Sequence, residues 1–259
     1  MASTSWQTTE DPNGTMTEEF VVKREPQRDI TGAVWVPEKP LDNALIAFGH
    51  GASGNRYQAP IPYMANKLSK LGYTSVAMDG PVHGLRQVGP GGREALSLEL
   101  KRQTVVDDMV DDWAVAIDTV KSKCSIETNH FAYFGLSMGS IFGIPLLAER
   151  SRNQSNVTVA VLGLLGTTGA VAQFADRLNE DANAINCPLL YLMQLEDELF
   201  PRDGYLELFD SFGSPDKRMH ANPGLHPEIP AEEINSAIEF LSKHLLGNVP
   251  RTVINPLAE

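Results

Sequence analysis

The sequence of 259 residues contains only two cysteines, Cys124 and Cys187. Two thiols cannot form the disulfide framework that stabilises small secreted proteins. They can form at most one bridge, and reduced thiols in a cytoplasmic protein are the simpler interpretation. Residues 1–14 are polar and acidic, unlike a secretory signal or a transit peptide. We therefore expect a cytoplasmic protein.

Long apolar runs and positive charge are also scarce. No run approaches the roughly 18 to 20 apolar residues that a membrane-spanning helix needs. Lysines and arginines number 21 against 33 aspartates and glutamates, which gives a formal net charge of −12. Nucleic acids and anionic membranes bind clustered basic side chains, so the composition argues against both as partners. The expected partner is a small molecule, and the oligomeric state, monomer or homodimer, stays open.

The chain does have a regular alternation of apolar runs and amphipathic segments. Strand-like runs occur at about 18–24, 30–36, 43–48, 73–78, 129–134, 157–163, 188–194 and 216–221. Helical spacing predicts helices over 63–71, 105–120, 137–150, 171–178, 205–212 and 231–246. The central runs are continuously apolar, as in parallel strands covered on both faces. The alternation predicts a three-layer α/β fold with a mostly parallel, eight-stranded sheet and helices on both faces.

One domain over residues 17–247 accounts for this alternation. We expect residues 1–16 to be disordered or loosely attached, because they have few apolar side chains, and residues 248–259 to be a tail. Two irregular stretches, 81–100 and 167–186, should emerge at the carboxyl edge of the strands, where open α/β sheets bind ligands. They are expected to form walls or a lid of a site and not a large cap domain.

The most informative motif is Gly135-Leu136-Ser137-Met138-Gly139. It follows an apolar, aromatic run over 130–134 and precedes a segment with helical spacing. A serine between two glycines at a strand-to-helix turn matches the nucleophile elbow. In that turn the hydroxyl is held above the sheet edge, next to the positive end of the helix. We therefore identify Ser137 as the candidate nucleophile.

A serine hydroxyl needs a base to remove its proton, and the base needs an orienting carboxylate. Chains with a nucleophile elbow carry these groups in the order serine, acid, histidine. The acid is expected just past the run at 188–194. There Asp197, four residues before a proline, is favoured over its neighbours Glu196 and Glu198.

Three histidines follow Asp197: His220, His226 and His244. His226 lies in a loop between the last strand-like run and the final helix, so its ring can reach both the serine and the carboxylate. It is the favoured base. His220 falls within a strand pattern and is the runner-up, and His244 fits a surface position near the end of the last helix.

An oxyanion hole needs two backbone N–H groups. Met138 follows the nucleophile and supplies one candidate, and Ala52 in the glycine-rich loop 49–56 supplies the other. His50 in this loop is more readily a structural hydrogen-bonding group than a second catalytic histidine, and contact with substrate stays open.

Two further residues are candidates for substrate contact. His83 should lie near the site, where it either orders its own turn or touches substrate, and Leu165 offers apolar surface. No metal site or cofactor is expected. The acidic run of Asp107, Asp108, Asp111 and Asp112 is typical of the solvated face of a helix.

These features together resemble the α/β-hydrolase superfamily. They occur in the family's order and are His50-Gly51 with Ala52, the turn 79–84, the motif 135–139, Asp197 with Pro201, and His226. The resemblance covers residues from about 18 to 246. It is greatest to compact carboxylesterases and dienelactone-hydrolase-like enzymes, which have no large helical cap. Dienelactone hydrolases themselves use cysteine, where this chain has Ser137.

The resemblance implies acyl transfer in two steps, in which Ser137 attacks, the alcohol leaves with a proton from His226, and water frees the acid. The leading hypothesis is therefore a serine hydrolase for a carboxylic ester of a small or medium acyl or aryl substrate. An acyltransferase, a thioesterase or a carbon–carbon bond hydrolase would use the same three residues. A non-catalytic, small-molecule-binding protein is the alternative from another class.

Overall fold

A single sheet of nine strands runs through the part of the chain that the computed structural model describes, residues 3–41, 44–127, 130–153 and 155–247. The strands are β1 (Thr4–Glu10), β2 (Met16–Val22), β3 (Ile30–Trp35), β4 (Ala44–Gly49), β5 (Thr74–Met78), β6 (His130–Leu136), β7 (Val157–Gly163), β8 (Leu189–Gln194) and β9 (Lys217–Asn222). Their order across the sheet is β1-β2-β3-β5-β4-β6-β7-β8-β9. From β5 to β9 neighbours are parallel, whereas β1, β2 and β3 are antiparallel additions. The predicted mostly parallel α/β architecture is confirmed.

The ninth strand corrects the prediction of a disordered or loosely attached segment where the structure describes it, over residues 4–10. Residues 4–10 pair with β2 from Thr4 opposite Val22 to Glu10 opposite Met16, so this segment is part of the sheet. Trp6 packs against Phe20, with ring centroids 5.4 Å apart. Most other side chains of β1 are exposed, which explains why no apolar alternation marks it in the sequence. The predicted tail 248–259 lies outside the described residues.

Helices cover both faces of the sheet. They are α1 (Ile61–Ser69), α2 (Gly92–Glu99), α3 (Val105–Cys124), α4 (Met138–Arg152), α5 (Ala175–Ala184), α6 (Arg202–Ser211) and α7 (Ala231–Leu245). Alternate residues of β4 enter two separate cores: Leu45 and Ala47 pack with α3, α4, α5 and α6, whereas Ile46 and Phe48 pack with α1 and α7. This separation into two apolar layers is the three-layer arrangement that continuous apolar strands predict.

Two predictions about the connecting segments need correction. The stretch 81–100 is not wholly irregular, because α2 lies within it, after the left-handed backbone of Gly91 (φ +69°). The acidic run on α3 is not entirely solvated either. Asp112 is buried and pairs with Arg24 and Arg86. Burial raises the pKa of Asp112, although the two guanidinium groups oppose that rise.

Within the described ranges, no cluster of three or more histidine, cysteine, aspartate or glutamate side chains is placed to hold a metal ion. The thiols of Cys124 and Cys187 are not bridged. None of the helices described above combines the length and apolarity needed to cross a membrane.

Candidate active site

Ser137 occupies a strained turn between β6 and α4. Its backbone angles are φ +56° and ψ −119°, a conformation that residues other than glycine rarely adopt. The flanking glycines are required by close packing: a Cβ at Gly139 would lie 2.4 Å from the carbonyl oxygen of Gly49. The turn is fixed by a 2.9 Å hydrogen bond from the Ser137 N–H to the carbonyl of Gly163. The structure thus gives Ser137 the backbone conformation that the sequence motif predicts.

The side chains of Ser137, His226 and Asp197 lie in one hydrogen-bonded row. Nε2 of His226 is 2.9 Å from Oγ of Ser137, and Nδ1 of His226 is 2.8 Å from Oδ2 of Asp197. The Asp197 side chain is 1% exposed and that of His226 is 8% exposed. The imidazole can therefore take a proton from the hydroxyl on one side while the carboxylate accepts from Nδ1–H on the other.

Four donors converge on the Asp197 carboxylate. Its Oδ1 accepts from the backbone N–H groups of Leu199 and Phe200, at 2.8 and 3.0 Å. Its Oδ2 accepts from the hydroxyl of Tyr205 as well as from His226. Burial raises the pKa of Asp197, but the hydrogen bonds outweigh burial and leave that pKa below its ordinary value. The carboxylate is therefore ionised at neutral pH, as an orienting group must be.

Tyr205 is the one polar group of this cluster that the sequence does not single out. It lies on α6, eight residues beyond Asp197, and its side chain is fully buried. Burial and the contact with Asp197 raise the pKa of Tyr205 well above its ordinary value, so its hydroxyl stays a donor. A tyrosine on a helix just past the acid could be noticed in the sequence, but nothing there shows which way it points.

The competing carboxylates have another role in the structure. Glu196 accepts from the backbone N–H of Gly224, and Glu198 accepts from the backbone N–H of His226 at 2.9 Å. The hydrogen bond from the His226 N–H lowers the pKa of Glu198. Both side chains thus fix the loop that carries His226, and among these three carboxylates only that of Asp197 contacts the His226 ring.

The other two late histidines lie elsewhere. His220 on β9 has Nδ1 at 2.8 Å from Glu233 of α7. His244, near the end of α7, packs its ring on Phe240 at a centroid distance of 4.5 Å. The structure thus brings His226, and neither of these histidines, to Ser137.

The glycine-rich loop after β4 lies over Ser137. Ala52 of this loop and Met138, the first residue of α4, both line the space in front of the serine. The first N–H groups of a helix have no partner inside it, so that of Met138 is available to an oxyanion. Nε2 of His83 lies 2.9 Å from the carbonyl of Ala52 and fixes the orientation of this segment.

His50 lies behind the same loop with both ring nitrogens engaged by the backbone. Its Nε2 accepts from the N–H of Gly80 at 2.8 Å, so its Nδ1 is the donor to the carbonyl of Gly51 at 2.7 Å. Burial lowers the pKa of His50 to about 4. The ring borders the cavity but is held neutral, which agrees with a structural hydrogen-bonding role.

Two predicted substrate contacts need correction. His83 is buried and borders neither cavity at Ser137, because its ring nitrogens face the carbonyls of Pro81 and Ala52. Leu165 is fully buried, and its carbonyl accepts from the hydroxyl of Tyr191. Leu164 lines the cavity in its place, since its left-handed backbone (φ +50°) turns the chain there.

A buried ion pair between Arg56 and Asp79 holds the glycine-rich loop 49–56 in place. Asp79, after β5, accepts from Arg56 twice: from the side-chain Nη1 at 2.7 Å and from the backbone N–H at 2.9 Å. Asp79 also accepts from the hydroxyl of Thr31 at 2.6 Å. The pair joins the loop 49–56 to the turn 79–84, so the position of Ala52 depends on contacts that extend into the sheet.

Two cavities meet at Ser137. The first, of about 320 Å³, includes the ring of His226 in its wall, and we call it the His226 cavity. The second, of about 260 Å³, is bordered by α2, and we call it the α2 cavity. Both have mostly apolar walls. The residues shared by the two cavities are Ala52, Arg93, Ser137 and Leu199.

Comparison with solved structures gives matches over nearly the whole chain. The zinc-bound structure of a cold-adapted esterase from an Arctic intertidal metagenomic library is 28% identical, with a TM-score of 0.75, and the match covers 93% of this chain and 99% of that one. The acetyl xylan esterase from Paenibacillus sp. R4 is 16% identical, with a TM-score of 0.67 and coverage of 94% and 89%. Acetyl xylan esterase 1 from Thermoanaerobacterium sp. JW/SL YS485 is 14% identical, with a TM-score of 0.69 and coverage of 93% and 87%. No protein-family model matches the chain, and no curated protein matches it.

Proposed function

We propose, on the basis that this chain has the α/β-hydrolase fold of known esterases, that it is a serine hydrolase of carboxylic esters that works through an acyl-enzyme. The observation that carries the proposal is the unbroken row from Oγ of Ser137 through the His226 ring to Asp197. This row ends at a serine held in a strained turn and opens into two apolar cavities.

In the first step, Oγ of Ser137 attacks the ester carbonyl carbon while its proton passes to Nε2 of His226. Asp197, ionised and held by four donors, stabilises the imidazolium that forms. The N–H groups of Ala52 and Met138 donate hydrogen bonds to the carbonyl oxygen and stabilise the negative charge that forms on it. Collapse of the intermediate breaks the bond to the alcohol, which leaves with the proton from Nε2.

In the second step, water attacks the acyl-enzyme and gives its proton to the same nitrogen. Ser137 Oγ then leaves, recovers the proton from His226, and the carboxylic acid is released. No cofactor takes part.

Together the cavities suit a small or medium acyl or aryl ester, because they are mostly apolar and near the lower end of the range of volumes for ligand pockets. We also propose a cytoplasmic location.

A panel of p-nitrophenyl esters of increasing acyl length, assayed beside acyl-coenzyme A thioesters, tests this function. We expect hydrolysis of short and medium p-nitrophenyl esters by the wild type and its loss in Ser137→Ala. Faster turnover of the thioesters would favour a thioesterase. Dominant ester formation when a primary alcohol competes with water would favour an acyltransferase. Absence of turnover on every substrate would contradict the proposal and favour a binding protein.

A further inference from the structure

The two cavities at Ser137 are not equivalent with respect to His226. The ring of His226 lies in the wall of one cavity and is absent from the wall of the other. If the proposed function holds, Nε2 of His226 must protonate the leaving alcohol, so the alcohol portion has to lie in the His226 cavity. The carbonyl oxygen points to the N–H groups of Ala52 and Met138. The third substituent of the carbonyl carbon is the acyl group. With the alcohol portion in the His226 cavity and the oxygen at the two N–H groups, the acyl group extends into the α2 cavity.

The α2 cavity has an apolar floor. Seven of its lining residues are large hydrophobic side chains: Leu199 is half-buried, and the other six are buried, namely Leu96, Leu100, Met138, Ile141, Val171 and Phe200. Such a surface accommodates the methylene groups of an acyl chain. The floor alone would suit any simple fatty acyl group of modest length.

Two cations border this apolar floor. Arg93 lies on α2 where the two cavities meet, and Lys101, which follows that helix, borders the α2 cavity alone; both side chains are exposed. Neither the guanidinium group of Arg93 nor the ammonium group of Lys101 has a hydrogen bond or an ion pair with any other described residue. No carboxylate of the described residues lines either cavity, in a chain whose formal net charge is −12.

A third cavity provides a comparison, because the arginines at its border do have carboxylate partners. It measures about 470 Å³, lies beside α3, and is bordered by four arginines. All four pair with carboxylates: Arg24 and Arg86 with Asp112, and Arg28 and Arg102 with Glu99. The arginine and the lysine at the α2 cavity lack such partners, so they are free to bind an anion from solution.

We propose that the α2 cavity receives an acyl group with a carboxylate at its far end, so that half-esters of dicarboxylic acids are the preferred substrates. The methylene groups lie on the apolar floor, and the distal carboxylate accepts hydrogen bonds from Arg93, assisted by the charge of Lys101. The planar guanidinium fork of Arg93 matches a carboxylate in geometry as well as in charge.

The test compares monomethyl glutarate with methyl 4-carbamoylbutanoate, its neutral isostere, by kcat/KM at low salt. We expect the wild type to prefer the half-ester by about tenfold, the effect of two partly exposed ionic contacts. The preference should fall towards one as salt is raised towards 1 M, where the screening length is about 3 Å. In Arg93→Gln/Lys101→Gln the ratio should also approach one. Because the ratio compares two substrates on one variant, a partial loss of folded enzyme cancels.

Lys39→Gln/Lys70→Gln is the matched control, since both lysines are exposed and line neither cavity. It removes the same two positive charges as the double variant and should keep the wild-type ratio. Half-esters from malonate to suberate, each compared with its neutral amide isostere, then measure the acyl length that reaches Arg93. The half-ester with the highest ratio of kcat/KM values has that length.

Three outcomes would overturn the inference while leaving the proposed function intact, provided that turnover depends on Ser137. The first is a wild-type ratio near one, and the second is a ratio unchanged in the double variant. The third is a higher kcat/KM for 3-acetoxypropanoate, which carries its carboxylate on the alcohol side, than for monomethyl glutarate. If the wild type cleaves no ester at all, the proposed function fails and the inference fails with it.

Discussion

His226 and His50 are both buried, and both have their two ring nitrogens in hydrogen bonds, yet their surroundings differ in kind. His226 lies between the hydroxyl of Ser137 and the carboxylate of Asp197. His50 lies between the carbonyl of Gly51 and the N–H of Gly80. A hydroxyl can give up a proton and a carboxylate stabilises the resulting cation. A backbone amide does neither under ordinary conditions.

The partners of a buried imidazole therefore decide what it can do. The backbone partners of His50 fix one neutral tautomer, and burial lowers its pKa to about 4. The row at Ser137 instead contains a carboxylate whose hydrogen bonds keep it ionised. We expect proton transfer at His226 and a purely structural contribution from His50. Four variants test this contrast, from the largest expected effect to the smallest.

Removal of the nucleophile should have the largest effect. Ser137→Ala leaves no hydroxyl for His226 to deprotonate, so kcat/KM for a p-nitrophenyl ester should fall by about 10⁴-fold or more. The fold should persist, because the substitution removes a single oxygen atom. Circular dichroism and thermal unfolding check that point. Retention of more than a tenth of the activity in a folded Ser137→Ala enzyme would mean that another group attacks the ester.

Asp197→Asn should come next. The amide cannot hold the His226 ring in the tautomer that presents a bare Nε2 to the serine, so kcat should fall by about 10³- to 10⁴-fold. Glu196→Gln is the matched control, because it neutralises an adjacent carboxylate that contacts only the backbone of the loop. A nearly inactive Glu196→Gln beside an active Asp197→Asn would transfer the orienting role to Glu196.

The His50 ring should make the free energy of unfolding depend on pH. Its pKa is about 4 in the folded chain against an ordinary 6.5, so the unfolded chain binds more protons between these values. The stabilising contribution is therefore complete above about pH 6.5 and is lost as the pH falls towards 4, by about 3 kcal/mol in total. Urea unfolding at pH 7, 5.5 and 4 should show a steeper loss for the wild type than for His50→Gln. Equal slopes would contradict the structural role.

Tyr205→Phe should have the smallest effect of the four. It removes one donor to the buried Asp197 carboxylate, so kcat/KM should fall by about tenfold at neutral pH. The same loss makes the Asp197 carboxylate more basic, so it stabilises positive charge on the adjacent imidazole more strongly, and the acid side of the pH–rate profile should lie at a higher pH than in the wild type. Phe200→Leu is the comparison variant, because the Phe200 ring packs against the same histidine ring without a hydrogen bond. It should leave the acid side of the profile where it is in the wild type. An unshifted acid side would contradict a positioning role for Tyr205.

The sequence predicts those parts of the site that depend on short motifs and on strand ends. Ser137 follows from two glycines and an apolar run, and Asp197 and His226 follow from their places beyond the last two strands. Parallel strands bring their carboxyl ends to one edge, so residues distant in the chain become neighbours without any knowledge of loop shape.

What the sequence does not predict depends on side-chain direction and on loop conformation. The left-handed turn at Leu164 exchanges the expected Leu165 for its neighbour in the cavity wall. The hydrogen bond from the Tyr205 hydroxyl to Asp197 depends on where α6 packs, and the sequence does not give that position. Strand β1 is missed because an exposed edge strand needs no apolar pattern, and Trp6 is its main apolar anchor.

Covalent labelling by a fluorophosphonate, followed by intact mass measurement and peptide mapping, tests the reactivity of Ser137 most directly. We expect one adduct per chain, located on Ser137, and none on Ser137→Ala. Ser140 serves as an internal control, because it lies one turn away and its buried hydroxyl is held between the carbonyls of Gly135 and Gly163 while it accepts from the Gly163 N–H. An unlabelled wild type, or an adduct on any other serine, would contradict the proposal.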